Sequence, residues 1–123
     1  MSPRVLIVET DLDLRTSIAT HLRQLGFAVT EAAKRSEALV ALGRDVPQVV
    51  LLGLGSPGRQ GLSLLSQIRS EWPAVQVITL NENEQIDLSI EAMKMGAFAD
   101  LMPPFDRDAL RDSVREASRG RLP

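Results

Sequence analysis

Short apolar segments alternate with amphipathic segments five times along this chain. Each apolar segment contains β-branched or other apolar residues almost without interruption, which is typical of strands buried on both faces of a parallel sheet. Strands are predicted over residues 5–8, 28–31, 49–52, 77–80 and 99–102. Because strand and helix alternate strictly, the pattern predicts a parallel sheet with right-handed crossovers and helices on both of its faces.

The segments between the strands carry apolar residues at helical spacing. Gly26 is expected to end the first helix, since glycine readily adopts the left-handed cap conformation. Ser36 is expected to cap the second helix, Trp72-Pro73 to end the third, and Asp106 to begin the last. The positions predicted to be buried are Leu14, Ile18, Leu22 and Leu25, then Ala38, Leu39 and Leu42, then Leu64, Leu65 and Ile68, and finally Leu110, Val114 and Ala117.

The fourth helix is unusually apolar because it carries two apolar stripes. They consist of Ile86, Ile90, Met93 and Ala97 on one side, and of Leu88, Ala92 and Met95 on the other. A helix packed against a sheet buries about one such stripe. Part of the other stripe is therefore expected to reach the surface, where exposed methionine and isoleucine mark interaction sites. The alternative is a rotated helix in a deep groove that covers both stripes.

Composition suits one folded domain, with 123 residues of which 44% are apolar and 24% are charged. We expect this domain over residues 1–118, with 119–123 as a tail or the start of a linker. No stretch is apolar and long enough to span a bilayer, and residues 1–4 lead directly into a strand, so a cytoplasmic location is expected. The absence of cysteine excludes disulfides and thiolate chemistry. A net charge of −2 provides no basis for binding nucleic acid, and neither nucleic acid nor membrane is an expected partner.

Several short motifs follow one another in a specific order. They are RVLIV at 4–8 followed by acidic residues, LRQLGF at 22–27, VLL at 50–52 with PG at 57–58 and GL at 61–62, IEAMKMGA at 90–97, and PFD at 104–106. In this order the chain resembles, over nearly its whole length, the receiver domains of bacterial two-component response regulators, and the fourth motif resembles the NtrC class most. The resemblance implies a flavodoxin-like, doubly wound, five-stranded parallel sheet with five helices in a single α/β domain.

The resemblance also implies a phosphorylation site, but most of its chemistry is missing here. In the family a carboxylate attacks a phosphoryl group, Mg²⁺ held by carboxylates and a backbone carbonyl neutralises negative charge, and a lysine and a hydroxyl bind the phosphoryl oxygens. The matching positions hold Glu9 and Thr10 for the acidic pair, Gly53 for the acceptor, Asn81 for the hydroxyl residue and Pro103 for the lysine. The aromatic residue that swings with phosphorylation in the family is replaced by Asp100.

These replacements predict a degenerate, phosphorylation-independent pseudo-receiver that is not an enzyme and uses no metal or cofactor. Mg²⁺ is normally held by carboxylates, and Glu9 with Asp11 and the Gly55 carbonyl would make a poor cage. Two other interpretations stay open: a small-ligand sensor that uses the emptied acidic pocket, and a receiver phosphorylated at a non-standard residue such as Asp11 or Ser56. The acidic residues around the pocket are expected to be solvated; they are Glu9, Asp11, Glu82 and Glu84.

In the family, the output face is formed by the fourth helix, the fifth strand and the fifth helix. The resemblance and the surplus apolar stripe together predict that this face binds a protein partner or a second copy of the chain. The residues expected on it are Ser89, Met93, Asp100 and Met102, with Lys94 and Arg111 at its charged rim.

The family usually has a cis peptide bond before the proline that matches Pro104. Because an X-Pro bond reaches the cis form at a cost of only about 0.5–1 kcal/mol, a tight turn after a strand can select it. The bond between Pro103 and Pro104 is therefore expected to be cis.

Overall fold

The computed structural model describes residues 2–54, 58–82 and 85–119, with residues 58 and 59 as backbone only. Strands and helices alternate throughout these ranges. The strands are β1 (Arg4–Val8), β2 (Ala28–Ala32), β3 (Val49–Gly53), β4 (Gln76–Leu80) and β5 (Ala99–Leu101). The helices are α1 (Leu12–Gln24), α2 (Arg35–Arg44), α3 (Gly58–Glu71), α4 (Ile86–Lys94) and α5 (Arg107–Ser118).

All five strands pair in parallel, in the order β2-β1-β3-β4-β5. The predicted doubly wound parallel sheet with five helices is thus confirmed. The order places β1, β3 and β4 side by side in the middle of the sheet, so the segments that follow them meet at one edge. In open α/β sheets this carboxyl edge is where ligands bind.

Alternate residues of the central strands point into two separate cores, as the period of two along a strand requires. On one face, Leu6, Val50 and Val77 pack with the apolar residues of α2, α3 and α4. On the other face, Ile7 and Ile78 pack with those of α1 and α5. The predicted inward positions of α3 and α5 are buried, as are Ile18 and Leu22 in α1 and Ala38 and Leu42 in α2, whereas Leu14, Leu25 and Leu39 are only partly buried.

Most helix ends lie where the sequence predicts them. Gly26 has a φ of 94° and ends α1 in the left-handed conformation, and the Asp106 carboxylate accepts a hydrogen bond from the backbone nitrogen of Asp108 at 3.1 Å. The prediction that Ser36 caps α2 is wrong, because the helix begins at Arg35 and Ser36 lies inside it. Glu37 reaches back instead, and its Oε1 accepts a hydrogen bond from the backbone nitrogen of Ala33 at 2.7 Å.

Two further details concern the last strand and the turn that follows it. Strand β5 ends at Leu101, one residue before the predicted boundary at Met102. The peptide bond between Pro103 and Pro104 is cis, which confirms the prediction for this turn. Within the described part of the chain, no helix has the length and apolar character that a bilayer crossing requires.

Candidate functional site

Three of the singled-out residues meet at the carboxyl edge of the sheet. Glu9 follows β1, Gly53 is the last residue of β3, and Asn81 follows β4. The backbone hydrogen bonds between β3 and β4 continue past the ends of these strands, since the Leu54 nitrogen donates to the Leu80 carbonyl at 2.8 Å. The three residues thus meet at the site that the resemblance implied.

The Glu9 side chain fills the space that a side chain at position 53 would need. A Cβ atom added to Gly53 would lie 2.0 Å from Oε1 of Glu9 and 2.9 Å from its Cδ. Both distances are far below van der Waals contact. The carboxyl group absent from β3 is thus replaced in space by one that extends from the end of β1.

Glu9 is buried, with only 3% of its surface exposed. Its Oε2 accepts a hydrogen bond from the Asp11 backbone nitrogen at 2.8 Å and lies 3.5 Å from the Thr10 hydroxyl. Its backbone carbonyl accepts a hydrogen bond from Nη1 of Arg15 at 2.8 Å. The expectation that Glu9 is a solvated loop residue is therefore wrong, because its side chain turns inward into the space beside Gly53.

The other acidic residues differ in their roles. Asp11 is exposed, and its Oδ1 caps α1 by accepting a hydrogen bond from the Leu14 nitrogen at 3.2 Å. Glu82 is partly buried beside Glu9. Glu84, like Gly55 and Ser56, lies outside the described residues.

The surroundings of Glu82 raise its pKa. A side-chain hydrogen bond to Glu9, burial, and the negative charges of Glu9 and Asp11 together raise the pKa of Glu82 from its ordinary 4.5 to about 8. Oε1 of Glu9 and Oε1 of Glu82 are both buried and have no donor within hydrogen-bonding distance among the described residues. Two carboxyl groups in such a setting favour a state in which one of them is protonated.

The Mg²⁺ ion implied by the resemblance does not fit these residues. Oε2 of Glu9 accepts a hydrogen bond from the Asp11 nitrogen, the Asp11 carboxylate caps a helix, and neither Thr10 nor Gly53 supplies a carboxylate. Within the described ranges, no group of three acidic, histidine or cysteine side chains could hold a metal ion. The hard, hydrated Mg²⁺ ion needs carboxylates that are free to coordinate it.

A hydrogen-bond network joins the site to β5 and α4. The Thr79 and Ser89 hydroxyls each donate to the Asp100 carboxylate, at 2.5 Å to Oδ1 and 2.5 Å to Oδ2 respectively. Nδ2 of Asn81 donates to the Ser89 Oγ at 2.9 Å and to the Gln85 carbonyl at 2.6 Å, while its Oδ1 accepts from the Gln85 nitrogen at 3.3 Å. Asp100 thus points inward and ties the start of α4 to the sheet.

Sequence reasoning missed this network, although one signal for it was present. Thr79 and Asp100 are register partners on the neighbouring strands β4 and β5. A polar pair at matching positions of two adjacent strands indicates a cross-strand hydrogen bond. The links to Ser89 and Asn81 depend on how α4 is placed and have no such signal in the chain.

A small cavity lies beside Gly53, with a volume of about 100 Å³. Its walls include Glu9, Lys34, Arg35 and Gln60. Pockets that bind small organic molecules measure roughly 300–1,000 Å³. The cavity is therefore much smaller than the ligand-sensor interpretation requires.

Comparison with known proteins matches residues 5–115 to the response regulator receiver domain. This chain belongs to that family. The receiver domain is 31% identical over 120 residues to the C4-dicarboxylate transport transcriptional regulatory protein DctD of Rhizobium meliloti (strain 1021), covering 98% of this chain and 26% of DctD. It is 34% identical over 104 residues to the DNA-binding transcriptional regulator NtrC of Salmonella typhimurium, covering 85% of this chain and 22% of NtrC.

Solved structures agree with this assignment. The receiver domain of NtrX from Brucella abortus superposes with a TM-score of 0.89 at 27% identity, covering 95% of this chain and 99% of that one. The chain spans about a quarter of the length of DctD and NtrC. The expected likeness to the NtrC class is confirmed at the level of the receiver domain.

The predicted output face of the receiver domain is partly apolar and exposed. In α4, Leu88 and Ala92 are buried, whereas Ile86 is 65% exposed, Ile90 50% and Met93 48%. Met102, just beyond β5, is 42% exposed. The expectation that part of the surplus apolar stripe reaches the surface is confirmed, although Ala97 of the same stripe is buried.

The remaining predicted face residues differ in their availability. Lys94 is exposed. Ser89 and Asp100 are partly buried and bonded to each other, so their polar groups are already used inside the domain. Arg111 forms ion pairs with Asp108 and Asp112 on its own helix, at 3.3 and 3.0 Å.

Proposed function

We propose that this receiver domain is a phosphorylation-independent pseudo-receiver that acts as a protein–protein interaction module in bacterial signal transduction or transcription control. One observation carries the proposal: Gly53 ends β3, and the buried Glu9 carboxyl occupies the space where an acceptor side chain would stand. A glycine has no nucleophilic side chain, and the side chain of Glu9 fills the space beside it.

Electrostatics support the same conclusion. Phosphoryl transfer to a carboxylate depends on positive charge placed around the phosphoryl oxygens. Pro103 stands where the family has lysine, Thr10 stands where it has an acid, and the remaining acids do not fit Mg²⁺. The position of an incoming phosphoryl group thus faces Glu9 and lacks the lysine and the metal ion that stabilise transfer in the family.

The hydrogen bonds of Asp100 support a single arrangement of the output face. Asp100, at the position of the swinging aromatic, holds both Thr79 and Ser89. Asn81, at the position of the hydroxyl residue, binds the backbone at the start of α4. A switch needs two arrangements that a ligand binds with different affinity. Here the groups at both switch positions are held by internal bonds.

The surface left for function is then the α4–β5–α5 face, with Ile86, Ile90, Met93 and Met102 as its exposed apolar residues. Buried apolar anchors supply most of the affinity in protein interfaces, and charges at the rim steer association. Lys94 lies at this rim. The proposed partner is a protein, either a second copy of the chain or another component of its signalling system.

The proposal is tested by treating the domain with acetyl phosphate and Mg²⁺ and measuring its intact mass. The unmodified mass is expected to persist, and beryllofluoride is expected not to bind. Gly53→Asp alone is also expected to stay unmodified, because the parts of such a site act as a unit and their effects are strongly non-additive.

The matched control combines Gly53→Asp with Glu9→Asp, Thr10→Asp and Pro103→Lys, which restores the acceptor, its space, the metal carboxylates and the cation. This variant is expected to be phosphorylated. Modification of the unaltered domain would contradict the proposal, and mapping it to Asp11 or Ser56 would establish a non-standard acceptor. If Gly53→Asp alone reacts as fast as the combined variant, the electrostatic argument is wrong.

A further inference from the structure

We propose that the groove between α2 and β2 binds a small zwitterion of about the length of a tripeptide, with its ammonium group at Glu37 and its carboxylate at Arg44. None of the residues that line this groove belongs to the site at Gly53 or to the output face. The inference therefore stands independently of the proposed function.

The groove exists because the side chains on its floor are short. Ala32, at the end of β2, packs in the same core as α2, so Ala28 and Thr30 on the same side of the strand face this helix as well. Both are nevertheless exposed. The cavity that they line together with Ala41 of α2 has a volume of about 440 Å³. This volume lies within the range of roughly 300–1,000 Å³ that is typical of pockets for small organic molecules.

One side of α2 forms a wall of the groove and carries a charge at each end. The residues of α2 that line the cavity share one side of the helix, as their spacing requires; they are Glu37, Val40, Ala41 and Arg44. Val40 is 57% exposed and makes the middle of the wall apolar together with Ala41. The wall is thus apolar between a carboxylate and a guanidinium.

The charged groups at the two ends of this wall are free to bind a ligand. Neither Glu37 nor Arg44 forms an ion pair with any residue in the described ranges. Oε1 of Glu37 accepts the hydrogen bond from the Ala33 nitrogen, which holds the side chain in place and leaves its second oxygen available.

The other charged residues around the groove are already paired. Arg4 forms an ion pair with Asp45 at 3.5 Å. Glu31 forms ion pairs with Arg15 and Arg23 of α1, at 3.2 and 3.1 Å. Of the described charges that line the groove, one anion and one cation are left, and they lie at opposite ends.

The separation of these two charges determines the length of the ligand. The seven residues from Glu37 to Arg44 rise about 10.5 Å along the helix, at about 1.5 Å per residue. Three residues of extended peptide span about 10 Å, at roughly 3.3–3.6 Å each. A guanidinium binds a carboxylate through two parallel hydrogen bonds, and a carboxylate oxygen accepts from an ammonium group.

The floor of the groove suits the middle of such a ligand. Ala28 leaves room for a small apolar side chain, and the Thr30 hydroxyl can donate to or accept from a peptide group. A free tripeptide with small apolar side chains therefore matches the groove in length, charge and polarity.

The test adds tri-alanine to the ¹⁵N-labelled chain and follows the backbone amide signals by NMR. The signals of residues 28–31 and 37–45 are expected to shift, with a dissociation constant below about 1 mM. Acetylation of the amino end or amidation of the carboxyl end should each weaken binding about two- to fivefold, since exposed ion pairs contribute modestly. Ala28→Leu, which fills the floor at an exposed position, should abolish the shifts.

Two variants assign the ends of the ligand. In Arg44→Gln the amidated and the free tripeptide should bind alike. In Glu37→Gln, whose amide oxygen can still accept from the Ala33 nitrogen, the acetylated and the free tripeptide should bind alike. The matched controls Lys94→Gln and Glu116→Gln alter exposed residues of α4 and α5 and should keep both preferences.

Three results would overturn the proposal. The first is a set of amide signals that stay in place up to about 10 mM tripeptide, tenfold above the expected dissociation constant. The second is a set of shifts confined to another surface of the domain. The third is an affinity that does not change when either end of the tripeptide is blocked.

Discussion

Position 9 and position 53 form a complementary pair. Glutamate is one methylene longer than aspartate, and this extra length lets the Glu9 carboxyl extend into the space that the missing Gly53 side chain leaves. The two residues therefore complement each other. Glycine at position 53 leaves room for the Glu9 carboxyl, and this carboxyl fills a space that would otherwise be an empty cavity. The coupling between them can be measured.

We expect Gly53→Ala to destabilise the domain by about 1–3 kcal/mol, the usual cost of forcing extra atoms into a filled site. Combined with Glu9→Asp, whose carboxyl is drawn back, the same change should cost clearly less, so that a double-mutant cycle gives a coupling free energy of at least about 0.5 kcal/mol. Urea unfolding of the four proteins measures this.

Gly43→Ala is the matched control, because a Cβ added at Gly43 on α2 would meet no atom within 4 Å. It should be neutral or should stabilise the domain by up to about 1 kcal/mol, the difference in helix propensity between glycine and alanine. Additive effects of Gly53→Ala and Glu9→Asp would show that the two side chains do not compete for one space.

Helix α4 has one apolar side that is buried and a second apolar side that is exposed. Leu88 and Ala92 pack into the core, while Ile86, Ile90 and Met93 are exposed. Its first turn is held by Asn81 through hydrogen bonds to Gln85 and Ser89. An exposed apolar stripe on a helix that is fixed at its start is a preformed binding surface, and little conformational entropy is lost when it binds.

We expect Met93→Lys with Met102→Lys to weaken self-association or partner binding through this face at least about tenfold, which corresponds to about 1.4 kcal/mol. Burying a lysine ammonium in an apolar contact costs more than either methionine contributes. Sedimentation equilibrium measures the dissociation constant, and circular dichroism and the melting temperature should be nearly unchanged because both positions are exposed.

Val40→Lys provides the control, since Val40 is also exposed but lies on α2, away from this face. It should leave association unchanged. A wild-type domain that stays monomeric would exclude self-association as the task of the face. If the variant with Met93→Lys and Met102→Lys still associates, but substitutions around Gly53 abolish association, the pocket beside Gly53 is the binding site instead.

At the scale of the whole molecule, the raised pKa of Glu82 makes stability depend on pH. In the unfolded chain Glu82 ionises near its ordinary pKa of 4.5, whereas in the folded domain it keeps its proton up to about pH 8. Between these values the folded state binds more protons than the unfolded state, so the free energy of unfolding falls as the pH rises. The stability that Glu82 contributes is fully present below its ordinary pKa of 4.5 and is lost as the pH rises through about 8.

We therefore expect Glu82→Gln, which cannot ionise and can donate to Glu9 at every pH, to lose less stability than the wild type between about pH 5 and pH 9. The melting temperature measured at intervals of pH tests this, with Glu116→Gln as the control that should keep the wild-type slope. Parallel curves for Glu82→Gln and the wild type would mean that Glu82 titrates alike in the folded and unfolded chains.

Periodicity predicted the elements, and the family resemblance implied the doubly wound topology. The predicted strands overlap all five observed ones, and the buried faces of α3 and α5 lie where the helical spacing placed them, because the burial of apolar residues dominates the choice of secondary structure. The meeting of Glu9, Gly53 and Asn81 was also determined by the sequence, since parallel strands deliver their last residues to one edge of the sheet. Ser36 was misassigned because α2 begins one residue before it, at Arg35, and Glu37 accepts the hydrogen bond from the Ala33 nitrogen that precedes the helix.

Only the tertiary structure decided which way the polar side chains point. The chain does not reveal that Glu9 turns inward over Gly53, or that Asp100 is bound from two sides by Thr79 and Ser89. A hydrophobic residue is placed by a non-directional preference that the sequence pattern carries. A polar group is placed by directional bonds to atoms far away in the chain, and those partners exist only once the strands and helices have packed.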